Sequence, residues 1–192
     1  MKKIVTFALV MSMLFAAAFS AFAQQNAGRA AVIINHYAAA PQSFTAGAIP
    51  KADLDLIVQA GVRAPSARNN QDWRFTVVQN QNLAKQIIPN IPDGNVLIVV
   101  SAPGDSKTNG AKILDAALAV ENIYLAAQAL GYGSRIQTGI MDTVNSKFKG
   151  DLGLPSGYSA VALVRVGKVQ AKTDAVSAAS ARKKVEEVVI YK

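Results

Sequence analysis

The chain has 192 residues, with 20 Lys or Arg against 12 Asp or Glu, one His, no Cys and a formal net charge of +8. Without cysteine there is no disulfide framework and no thiolate metal site, and one His with few acidic clusters argues against a metal enzyme. The positive charge is spread along the chain and not drawn into a basic stripe interleaved with aromatics, which argues against nucleic-acid binding but allows steering of anions such as phosphates.

Met1-Lys2-Lys3 precedes an apolar run over residues 4–19, followed by Ala21-Phe22-Ala23 and then Gln24. A basic start, a short apolar stretch and a small-x-small site describe a secretory signal peptide cleaved after Ala23. The protein is therefore expected to be exported, periplasmic or secreted. The run falls short of the about 20 apolar residues of a spanning helix, so no membrane attachment is expected after cleavage. The expected organisation is a signal peptide at 1–23, an N-terminal arm at 24–48 and one domain at 49–192.

Ile49-Pro50 opens the first expected helix, with Asp53 near its N-terminal dipole. Leu54, Ile57, Val58, Gly61 and Val62 follow helical spacing and form its apolar face. Pro65 biases Ala64 away from the α region and should end it. A strand is expected from about Trp73 to Val78, then a short helix at 82–88 closed by Pro89. Residues 96–101 read Val-Leu-Ile-Val-Val-Ser, an unalternating run expected of a strand buried on both faces. The longest helix is expected at 112–130, apolar almost all round and so buried on most sides or placed at a subunit interface. Asp115 and Glu121 read as surface or capping acids on it, and Gly131 stops it. An extended segment follows at 134–138, then a weaker helix at 143–152, a turn at 153–157 and a confident strand at 158–166. The tail from Gly167 is polar until Arg182-Lys183-Lys184-Val185-Glu186-Glu187. Four strands with helices between and around them indicate an α+β or α/β single-layer sheet.

One stretch carries the chemistry: Ala64-Pro65-Ser66-Ala67-Arg68-Asn69-Asn70-Gln71-Asp72-Trp73-Arg74-Phe75. A helix end, an amide-rich turn and a strand start make an edge suited to a flat, polar-rimmed ligand. This pattern resembles the nitroreductase family of flavoenzymes. Further matches follow in order: Asp115 through Asn122 and Leu125-Ala126-Ala127 to the Gly131-Tyr132-Gly133 turn, the Leu152-Gly153-Leu154-Pro155 block before a valine-rich strand and Gly167, and the closing Arg182–Glu187 segment.

The resemblance implies an α+β, nitroreductase-like fold: a mixed central sheet of four to five strands flanked by helices, in an intertwined homodimer holding FMN between subunits. It implies an FMN-dependent oxidoreductase that reduces a small planar acceptor, a nitroaromatic or quinone, with electrons from NAD(P)H or another donor. A member that binds a flavin or other planar metabolite without turnover is the alternative. Carried over residue by residue, Pro65, Ser66, Ala67 and Asn69 would meet the flavin. Gln137, Thr138 and Gly139 would line its ring, and Arg182 would reach its phosphate. Asn69 also reads as a turn-capping amide.

Two departures stand out. The family's cationic Arg-Arg-Ser-x-Arg segment before Phe44 is replaced by Ala38-Ala39-Ala40-Pro41-Gln42, and Asp72 stands where a proline is usual. Arg29, Arg68, Arg74, Arg135 or Lys183 are the candidate replacement cations, and His36 lies near the missing segment.

Overall fold

The structure, a computed structural model, describes residues 41–105, 110–170 and 183–192. The signal peptide, the arm up to residue 40 with Arg29 and His36, and Arg182 lie outside the described residues. Among the described residues no helix is long and apolar enough to cross a membrane.

Five strands form one sheet: β1 (Phe44–Thr45), β2 (Arg74–Val78), β3 (Val96–Pro103), β4 (Gly133–Gln137) and β5 (Tyr158–Val169). β3 and β5 are central. β2 flanks β3, while β4 and β1 share the far edge of β5. Every pairing among the described residues is antiparallel, so the sheet is antiparallel and not mixed as expected. β3 and β4 run in the same direction, but β5 lies between them and pairs antiparallel with both, so no parallel pair forms.

Helices cover both faces. α1 (Lys51–Val62) and α3 (Gly110–Ala129) lie on one, and α2 (Gln81–Ile87) and α4 (Met141–Lys147) on the other; α5 (Val185–Val188) is a single exposed turn. β3 explains why its sequence does not alternate. Val96, Ile98 and Val100 enter the core under α1 and α3, while Leu97 and Val99 enter the core under α2 and α4. Each contributes about 1.5–3 kcal/mol relative to exposure. α1 and α3 approach closely at Gly61, where a Cβ would lie 2.8 Å from Ile123 Cδ1. α2 begins at Asn80, whose side chain accepts from the backbone N–H groups of Asn82 and Leu83.

Several expectations shift. Val62 is exposed and Val58 only partly buried, so the buried face of α1 narrows to Leu54, Ile57 and Gly61. α4 starts earlier and stops at Lys147, and Leu152 then packs into the core from an irregular turn. β5 runs past Gly167 to Val169 because β1 pairs with Lys168 and Val169. α3 buries one side, but Leu114 is 63% exposed and Leu118 and Leu130 also face outward. Its outer face has no cover among the described residues.

Candidate functional site

α1 stops ahead of Ala64-Pro65, as the proline demands. Ser66 is extended, and Ala67–Asn69 form a 3-10 turn whose interior is not helical. Arg68, Asn69 and Gln71 have φ of +55°, +55° and +51°. That left-handed region costs an L-residue roughly 1–2 kcal/mol, and such conformations persist only where the surroundings over-determine them.

The surroundings do so here. Ser66 Oγ accepts the Gln71 backbone N–H at 3.0 Å, and Asn69 N–H donates to the Ser66 carbonyl at 3.0 Å. Gln71 Nε2 donates to the Asn69 carbonyl at 3.3 Å. From α3, Asp115 Oδ1 accepts the Ala67 N–H at 3.0 Å, and Lys112 forms an ion pair with Asp72. Asp115 is thus a buried acid holding the turn, not the surface or helix-capping acid expected; only Glu121 of that pair is exposed. A sequence period alone does not reveal that a distant loop covers one position of a helix.

Pro65, Ala67 and Asn69 are exposed and Ser66 is half-buried. The Asn69 carboxamide bonds to no described residue, and it is Ser66 that closes the turn on Gln71. The turn-capping role considered for Asn69 is therefore filled by Ser66. Gln137, Thr138 and Gly139 sit where β4 leaves the sheet, with Gln137 half-buried and the other two exposed. The Thr138 carbonyl accepts the Met141 N–H at 3.0 Å, and a Cβ on Gly139 would meet no atom within 4 Å.

The fold does not bring the two groups together. The Ser66 turn feeds β2 at one edge of the sheet, whereas Gln137 ends β4 at the other, with β3 and β5 between. Three strand spacings separate those edges, roughly 14 Å.

Arg165 was not anticipated. It is buried on β5, directly opposite Arg135 on β4, with its guanidinium 3.9 Å from the Phe44 ring centroid. Burial, and then the Arg135 charge, lower its pKa to about 10. The signal was a lone charge inside the apolar run at 158–166. Phe44 stands two residues after the segment that lacks cations, and Arg165 places a positive charge against its ring. Of the replacement cations, Arg68, Arg74 and Lys183 are exposed and Arg135 is half-buried. Arg74 lies 5.7 Å from the Tyr158 ring centroid.

The sequence model of the nitroreductase family matches residues 40–97 and 89–168. A protein of Archaeoglobus fulgidus, provisionally named an NADH dehydrogenase/NAD(P)H nitroreductase, is 38% identical over 90 residues, 43% of this chain and 52% of that protein. One of the same provisional name from Methanothermobacter thermautotrophicus is 32% identical over 99 residues, 48% of this chain and 51% of its own. The chain thus matches about half the length of these curated relatives. In structure, the chain is similar to an FMN-bound nitroreductase of Desulfitobacterium hafniense, with a TM-score of 0.68, 21% identity, and coverage of 85% of this chain and 98% of that one. An FMN-bound nitroreductase of Bacteroides fragilis gives a TM-score of 0.62 at 22% identity, covering 80% and 94%. These structural likenesses, at low identity, establish the fold, and the match of the family model across both sheet edges establishes descent: the chain belongs to the nitroreductase family.

Proposed function

We propose that the protein is an FMN-dependent oxidoreductase of nitroreductase type, exported, and active as a homodimer. It would reduce a small planar acceptor, a nitroaromatic or quinone, with electrons from NAD(P)H or another donor. The observation that carries this reading is the strained turn at residues 66–71. It presents an Asn69 carboxamide that bonds to no described residue, and the half-buried Ser66, at an edge where the backbone conformation is held against its preference.

The residues present fit a flavin. Pro65, Ser66, Ala67 and Asn69 offer a small apolar surface with hydroxyl and amide groups. Gln137, Thr138 and Gly139 offer backbone around open space. Bound FMN would supply the two-electron chemistry, while the chain binds it, orients it and sets its electrostatic surroundings. Arg182 is the cation proposed to reach its phosphate, and the half-buried Arg135 is the candidate replacement for the cations missing at 38–42.

A homodimer accounts for the separation of the two groups. A ligand touching both the Ser66 turn and the Gln137–Gly139 corner would take one from each protomer. The outward Leu114 and Leu118 of α3, and the 83% exposed Ile190 and 88% exposed Tyr191, provide apolar surface for such a contact.

The test is the mature chain from Gln24, purified, mixed with FMN and separated from free flavin. A yellow dimer that is bleached by NAD(P)H and recoloured by menadione supports the proposal. A protein that stays colourless ends it. A second reading, flavin binding without turnover, is favoured by the uncharged Ala38–Gln42 stretch, and a yellow protein that no donor bleaches would establish it. Export is checked by fractionating cells that express the full chain: the shortened form belongs outside the cytoplasm.

A further inference from the structure

We infer that the first turns of α3 set the position of the ligand-binding turn, and that Asp115 is a positioning residue acting through Ala67. Three observations meet here. Asp115 is 5% exposed, with Oδ1 on the Ala67 N–H, and its other oxygen, Oδ2, is buried without a hydrogen-bond donor among the described residues. Buried polar atoms are nearly always satisfied, and leaving a carboxylate oxygen bare is unfavourable. An apolar residue would pack on that face of α3 at less cost, so the carboxylate does not serve the core.

What it does serve is geometry. Lys112 lies one helical turn before Asp115 and pairs with Asp72. α3 therefore grips the turn at both ends, at Ala67 and at Asp72, and the three left-handed residues lie between the grips. Ser66, Ala67 and Asn69 keep their places because this frame denies the turn its relaxed conformations. Asp72, standing where the resembling sequences place a proline, makes the second grip an ion pair in place of a stiff ring. The inference rests on the FMN reading for the identity of the ligand, but the frame itself does not.

The experiment uses the mature chain and its Asp115→Asn, Asp115→Ala and Lys112→Met variants. Amide hydrogen exchange at residues 66–72 is recorded without flavin; FMN affinity is measured by quenching of flavin fluorescence, and the absorption maximum of bound FMN is recorded. Asp115→Ala is expected to speed Ala67 exchange and weaken FMN roughly tenfold or more, and to shift the absorption maximum. Asp115→Asn keeps an oxygen for the Ala67 N–H and should recover most of each loss. Lys112→Met should loosen residues 70–72. If Asp115→Ala exchanges like the parent, or binds FMN as tightly, the inference is overturned. Should that variant not fold, Lys112→Met decides in the same way, with parental exchange at 70–72 overturning it. A parent that binds no FMN sinks the flavin reading, and the exchange measurements still decide the frame.

Discussion

Asn95 Oδ1 accepts two hydrogen bonds from the Arg165 guanidinium, from Nε at 3.1 Å and Nη2 at 3.0 Å. The Asn95 Nδ2 donates to the Thr45 carbonyl at 2.9 Å, and its own carbonyl accepts from Gln81 Nε2 at 3.2 Å. One fully buried residue thereby joins β5 and β1 through its side chain and α2 through its backbone. Gly167 makes room for it, since a Cβ there would stand 2.5 Å from the amide group.

Removing that amide should be severe. Asn95→Leu strands a buried guanidinium that has no carboxylate partner among the described residues, and losing hydrogen bonds to a charged group costs about 1.5–3 kcal/mol each. Urea denaturation should show a loss of that size. Adding Arg165→Met removes the stranded charge and should restore most of it. A double variant no more stable than Asn95→Leu alone would contradict this account.

Gly94 is confined by both conformation and space. Its φ is +84°, and a Cβ would lie 2.5 Å from the Gly47 carbonyl carbon, a backbone atom unable to swing aside. Gly94→Ala should cost about 3 kcal/mol from left-handed strain and overpacking together. The same substitution at Gly139, which has open space and no positive φ, should leave the melting temperature nearly unchanged.

Tyr132, three residues beyond the end of α3, donates to Asp53 Oδ2 in the first turn of α1. Burial, then the bond to Asp53, push its pKa up to about 12. A raised value in the folded state means the contribution is complete below the ordinary phenol range near 10 and fades as pH climbs toward 12. Tyr132→Phe removes a proton-linked contact. The stability gap between parent and variant should be constant from neutral pH to about 10 and then close. Arg165 titrates identically in both proteins and cancels from the difference. A gap that persists at pH 12 would contradict the assignment.

The strained turn makes its own prediction. Arg68→Gly relieves a left-handed residue and should leave stability unchanged or raise it by up to about 1 kcal/mol. Arg68→Val places a β-branched residue at φ +55° and should cost about 1–2 kcal/mol. Melting curves of the two variants give the comparison. Equal melting temperatures would show that the turn relaxes in solution.

The order and type of the main elements were legible in the amino acids. α1, β2, α2, β3, α3 and β5 all occur near their expected positions, because hydrophobic spacing and proline placement act locally. The same local chemistry marked Pro65–Asn69 as a polar turn between helix and strand. It did not reveal β1, whose two residues count as a strand only because β5 extends to meet them. Nor did it reveal Arg165 or Asp115 as buried, since a charge inside an apolar run looks the same whether a partner lies across the fold or not.

What the linear chain determined, then, was its family, its periodicities and a polar turn between the first helix and the strand that follows it. Tertiary structure alone decided that α3 holds the Ser66 turn, that Asn95 anchors Arg165, and that the two groups of candidate residues end on opposite edges of one sheet. Those outcomes depend on contacts between segments distant in sequence, and such contacts leave no local pattern until the chain has folded.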